Sequence, residues 1–148
     1  MIEYNIGRTR GFELLEIDGV KGITPTRGTP ESAGYDFYNI KEMQIAPFKI
    51  TLISTNVTSY MRDGEFLDLR IRSSLAKRGL ILLNGGGVID SDYYGNPIGF
   101  LVMNLSESPI ELRVGDRIGQ GIFTNYLKAD NDLVLNSKRS GGFGSTGN

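Results

Sequence analysis

Across residues 67–72 apolar and charged side chains alternate without a break, Leu67, Leu69 and Ile71 against Asp68, Arg70 and Arg72. That two-residue period belongs to an extended strand with one buried face. Further runs rich in Val, Ile, Leu, Phe and Tyr lie at 12–17, 43–61, 65–72, 80–84, 98–105, 110–114 and 118–126, each bounded by turn formers. The rhythm is all-β. Residues 98–105 are apolar at almost every position, as in a strand covered on both faces. The predicted helix is short, residues 75–78 after Ser73, and Gly79 stops it because a left-handed residue costs least there. Many short strands with little helix predict a distorted jelly-roll β-barrel whose sheets close around one core.

Composition sets the chemistry available. The chain has no Cys and no His, so thiolate nucleophiles, cysteine metal sites and the commonest general base are absent. Catalysis must run on carboxylates, hydroxyls or cations. A formal charge of −1 over 148 residues argues against sequence-independent nucleic-acid binding, which needs a broad basic surface. No run approaches membrane-spanning length, and the opening "MIEYNIGRTRGFELLEI" lacks the apolar stretch of a signal peptide. A soluble, cytoplasmic protein with no membrane partner is expected. Residues 1–136 read as one domain. Residues 137–148 read as a flexible C-terminal arm, because "SKRSGGFGSTGN" has Phe143 as its single large apolar residue.

Several segments could carry chemistry. In "NGGGVIDSDYYGN" the glycines at 85–87 and the pair Gly95-Asn96 predict a hairpin. Asp90 and Asp92 there are either turn formers bonding their own backbone or, for Asp90, a rigidly held base for a water molecule. "RSSLAKRG" sets Arg72, Ser73, Ser74, Lys77 and Arg78 around a helix start, either as an N-cap with solvated charges or as a phosphate cradle. "RVGDRIGQ" contributes Gln120 and "AGYDFY" contributes Asp36. The arm reads either as a frayed terminus or as a segment that orders over a ligand.

Taken together, five segments resemble the motifs of the trimeric dUTPase family, of bacterial or phage type, in order and spacing. They are "PTRGTPESAGYDFY", "RSSLAKRGL", "NGGGVIDSDYYGN", "GDRIGQGIF" and "RSGGFGSTG". The resemblance implies the jelly-roll fold of the β-clip type and magnesium-dependent hydrolysis of dUTP to dUMP and pyrophosphate. Such an activity limits uracil incorporation into DNA and supplies dUMP for dTMP synthesis. By similarity Asp90 activates the water that attacks the α-phosphorus, and Arg72, Ser73, Ser74 and Gln120 contact the phosphates. The segment with Asn84, Gly87, Val88 and Ile89 reads uracil, and Tyr93 lies against the deoxyribose and excludes a ribose hydroxyl. Phe143 stacks on the base, while Arg139, Gly144, Ser145 and Thr146 hold the terminal phosphate. Mg2+ has no direct protein ligand, with Asp36 reaching it through water. The resemblance also implies a homotrimer with shared active sites and an arm that covers a neighbour's site.

The chain departs from the family pattern at Ile71, where many members have Pro, and at Arg139, which sits one residue nearer Phe143. Lys138 could take the arginine's place, as a point charge without a planar fork. Two alternatives stand beside this reading. A dCTP deaminase shares the fold, but "PIGFLVMNL" lacks the glutamate that its reaction needs. A regulatory protein would use nucleotide occupancy to change its affinity for a protein partner.

Overall fold

The computed structural model describes residues 7–139. Seven short strands come first: β1 (Gly11–Leu14), β2 (Glu16–Ile17), β3 (Val20–Lys21), β4 (Tyr35–Tyr38), β5 (Met43–Ile45), β6 (Ile50–Ser54) and β7 (Val57–Tyr60). β8 (Glu65–Ile71) runs into the helix α1 (Ser73–Lys77), followed by β9 (Leu80–Leu82) and β10 (Gly87–Asp90). A 3-10 turn at Ser91–Tyr93 precedes β11 (Gly99–Asn104), β12 (Ile110–Leu112) and β13 (Arg117–Asn125).

Two sheets make the body of a jelly-roll-like all-β fold, one ordered β10-β8-β13-β4 and the other β6-β11-β9, with antiparallel pairing throughout. Their inner faces meet. Phe37, Leu67, Leu69 and Ile118 from the first sheet and Ile53, Leu80, Phe100 and Val102 from the second are buried together. Removing that much apolar surface from water is the main force holding the barrel. Phe37 stands edge-on to Phe12 and to Phe100, at ring-centroid distances of 5.4 and 5.7 Å.

Several sequence expectations change here. The run at 43–61 is three strands, because Phe48 and Asn56 adopt left-handed φ values of 58° and 51° and turn the chain. Beyond the run at 12–17, Asp18 and Gly19 (φ 54° and 77°) close a hairpin between β2 and β3, with both turn residues at the positive φ that a type I′ turn requires. Helix α1 starts at Ser73, and its cap is the extended Arg72 with no side-chain cap, so Ser73 is not the N-cap. Gly79 ends it with φ 99°.

The predicted hairpin around Asp90 is also corrected. β10 pairs with β8, whereas β11 pairs with β6 and β9, so the connection passes from one sheet to the other. Finally, β11 is not covered on both faces within one chain. Leu101 and Met103 on its outer side are only half-buried, and their register partners Leu52 and Ile50 are 48% and 65% exposed.

Candidate active site

The centre of the first sheet brings together residues far apart in sequence. Gln120 on β13 stands opposite Asp36 on β4 and Arg70 on β8. One residue past β8, the Arg72 N–H donates to the Ile118 carbonyl at 3.0 Å, which ties the start of α1 to β13. Asp36, Arg72, Ser73, Ser74 and Gln120, all singled out in the sequence, thereby line one open cleft of about 430 Å³. The Ser73 and Ser74 amides open the helix, where first-turn N–H groups have no intrahelical acceptor.

Of two further cations here, sequence reasoning named Lys77 beside the helix start and missed Arg117. Lys77 and Arg117 also line the cleft, and Arg117 Nη1 lies 3.8 Å from Asp36 Oδ2. Lys77 follows Ser73 by four residues, which places both on one side of a helical turn. With Arg72 they set three cationic side chains against one carboxylate, so the cleft's charge suits a polyanion.

Glycines let the walls close up. A Cβ on Gly119 would lie 2.4 Å from the Arg70 carbonyl oxygen and 2.6 Å from the Phe100 ring. A Cβ on Gly34 would lie 2.0 Å from Gln120 Oε1 and 2.9 Å from Gln120 Cβ, so the Gln120 side chain occupies space that only glycine leaves. Gly34→Ala should push Gln120 out of place. We expect folding to persist and the KM for a phosphate-bearing substrate to rise on the order of tenfold, the scale of one lost hydrogen bond. Steady-state kinetics beside a thermal melt checks this.

Asp90 sits elsewhere. It ends β10, at the edge of the same sheet, opposite Phe66 on β8. Its side chain is 51% exposed. The Arg139 guanidinium bridges two carboxylates: Nη2 pairs with Asp90 Oδ2, and Nε donates to Asp92 Oδ1 at 2.7 Å. The Asp92 hydrogen bond, with the Asp90 charge adding to it, holds the guanidinium pKa above its ordinary value. The same group lies 5.7 Å from the centre of the Tyr93 ring. Burial pushes the Tyr93 hydroxyl pKa up, the Arg139 charge opposing it, and that hydroxyl donates to the Pro97 carbonyl at 3.0 Å.

Asn84 and Val88 are exposed, whereas Gly87 and Ile89 are buried toward the core. A Cβ on Gly87 would lie 2.9 Å from Leu69 Cβ, so this stretch could offer a ligand its backbone but not the Ile89 side chain. As an edge strand, β10 has one row of N–H and C=O groups without a sheet neighbour. Such a row is a fixed donor and acceptor pattern.

The register keeps the two groups apart. Asp90 pairs with Phe66, Phe66 with Thr124, and Thr124 lies four residues along β13 from Gln120. At ordinary strand spacing that is about 10 Å across the sheet and about 13 Å along it, and one strand more to Asp36. One chain therefore assembles the cationic cleft and, separately, the Asp90–Tyr93 corner. Arg139 belongs to the second group, not to the cleft. Phe143, Gly144, Ser145 and Thr146 lie outside the described residues.

These features define a jelly-roll-like β protein with a cationic cleft and a detached, solvent-facing carboxylate. Comparison with known proteins makes the assignment narrower: the dUTPase family matches residues 21–147, and the chain belongs to that family. It is 42% identical over 148 residues to a deoxyuridine 5'-triphosphate nucleotidohydrolase from Lactococcus lactis, covering 95% of this chain and 99% of that protein. Among solved structures it is similar to a dUTPase from Streptococcus mutans, with a TM-score of 0.74 and 38% identity over 81% of this chain and 98% of the other. A dUTPase of Staphylococcus bacteriophage 80alpha shares the fold at a TM-score of 0.71 and 19% identity, covering 88% and 99% of the two chains.

Proposed function

We propose that the chain hydrolyses dUTP to dUMP and pyrophosphate at sites built between copies in a homotrimer. The observation that carries this reading is the separation of Asp90 from the cleft. A carboxylate about 20 Å from Asp36 by strand spacing cannot act on phosphates held there by its own chain, but a neighbouring copy can present its own Asp90. Two unlike surfaces are available for such an assembly. One is the apolar outer face of β6-β11-β9 with Ile50, Leu52 and Ile81, and the other is the mixed outer face of the first sheet, where exposed Val88 stands opposite Asp68 of the Asp68–Arg70 ion pair. Joining one patch to a different patch is a heterologous contact, which closes into a ring where each copy is turned by a third of a full rotation from the last.

In the assembled site Arg72, Lys77, Arg117 and the Ser73 and Ser74 amides hold the triphosphate and offset the charge that develops as pyrophosphate departs. Gln120 adds an amide donor. Asp90 accepts the proton of the water that attacks the α-phosphorus, in the role open to a carboxylate where no histidine exists. The β10 edge reads uracil with Asn84, and the Tyr93 ring closes the side where a ribose 2′-hydroxyl would lie. Residues 137–148 act as the covering arm: Phe143 stacks on the base, while Arg139, Gly144, Ser145 and Thr146 hold the terminal phosphate.

The cleft's donor set fits a magnesium ion that arrives with the triphosphate and keeps its waters. Asp36 is the carboxylate among the lining residues, and no group of three or more acidic ligands gathers among the described residues. Bound in this way, Mg2+ would neutralise charge at the phosphate oxygens, and Asp36 would hold it through water. No helix among the described residues is long and apolar enough to cross a membrane. We place the activity in the cytoplasm.

The test is pyrophosphate release from dUTP, dCTP, dTTP and UTP with and without Mg2+. Rapid release from dUTP alone, dependent on the metal, is the expected outcome. Ammonia from dCTP would favour the deaminase alternative, and tight dUTP binding without turnover would favour the regulatory one.

A further inference from the structure

The residues leading into β7 and within it combine polarity with burial. Thr55, Asn56, Thr58 and Ser59 are all buried, and buried hydroxyls need partners. Two of these side chains converge on the segment that follows Tyr93. Thr58 Oγ1, on a residue 1% exposed, accepts the Gly95 N–H at 2.8 Å. Thr55 Oγ1 donates to the Ile98 carbonyl at 2.7 Å, and the Ile98 N–H donates to the Val57 carbonyl at 2.8 Å. Between the two anchors, Pro97 accepts the Tyr93 hydroxyl.

Gly95 itself has φ 93°, a conformation that side chains resist. The turn's shape is therefore set at Gly95, and its seating is set by Thr58. A valine would fill the same volume and suit a strand equally well, so the hydroxyl adds a specific contact that packing does not require.

We propose that Thr58 is a positioning residue for sugar selection: through the Gly95 amide it fixes the Tyr93–Pro97 turn, and so the height at which the Tyr93 ring meets the nucleotide's 2′ carbon. This rests on the dUTP reading above. Thr58 touches no substrate, and its whole effect passes through one backbone hydrogen bond.

Thr58→Val removes the acceptor and keeps the shape. The expected result is an unchanged assembly, a fall on the order of tenfold in the ratio of kcat/KM for dUTP over UTP, carried mostly by KM, and a kcat for dUTP within about twofold of the parent. Thr58→Ser, which retains the acceptor, should restore the ratio. Tyr93→Phe removes the other end of the chain of contacts and should relax selection in the same direction, whatever the stability of the valine variant. Hydrogen exchange should show the Gly95 amide protected in the parent and the serine variant and released in the valine variant.

A valine variant with the parental dUTP/UTP ratio overturns the inference, and so does a serine variant as impaired as the valine one, since that pattern marks a purely structural role. A parent that leaves dUTP intact overturns the functional reading and the inference with it. A parent that hydrolyses dUTP and rejects UTP, beside a valine variant that rejects UTP equally well, overturns the inference alone.

Discussion

Asp90→Asn should leave a folded, nucleotide-binding protein whose turnover of dUTP is lower by roughly 10²–10⁴-fold, the usual contribution of a positioned general base. The amide has the carboxylate's shape but cannot take a proton from water at neutral pH. Little else changes, because Asp90 is half-exposed at the end of an edge strand and pairs with Arg139, which also holds Asp92. The loss should fall on kcat while KM stays near the parental value, the pattern of an interaction made in the transition state. Single-turnover pyrophosphate release, beside a melting curve and a dUTP titration, measures the three quantities together. A variant that turns over at the parental rate would remove Asp90 from the mechanism.

Arg72→Ala should cost about 10²-fold in kcat/KM for dUTP, the scale of one donor aimed at developing oxyanion charge. The substitution spares the fold because what ties this position to β13 is its backbone, the Arg72 N–H on the Ile118 carbonyl. Arg72→Lys should recover only part of the loss, since an ammonium lacks the planar fork that grips two phosphate oxygens. Raising ionic strength should weaken the parent more than Arg72→Ala, because the parent has one more cation in an open cleft to screen. Full activity in the alanine variant would take the cleft out of phosphate binding.

The parts of this architecture that could be read from sequence were those that local pattern dictates. Alternation at 67–72 gives β8 with Leu67 and Leu69 buried, and Gly79 marks the end of α1. What pattern did not reveal depends on pairing. Nothing local says that β10 joins β8 and not β11, which is why a hairpin was expected around Asp90. Arg117 looks like an ordinary surface charge until the Arg72–Ile118 bond and the β13 register bring it to the cleft of Arg72 and Lys77. The β2–β3 hairpin is different, since Asp18-Gly19 is a recognised turn pair and could have been read. The distance between Asp90 and Gln120 belongs to the register alone.

Co-assembly of two inactive variants tests the shared site most directly. Asp90→Asn and Arg72→Ala chains, differently tagged, are expressed together, and assemblies carrying both tags are isolated and assayed with dUTP. If each site takes its carboxylate and its cleft from different copies, every mixed trimer keeps both intact at one of its three sites, so about a third of the sites work and activity returns far above either variant alone. Mixed assemblies as inactive as their parents would contradict the account, because a site complete within one chain cannot be rescued by a neighbour.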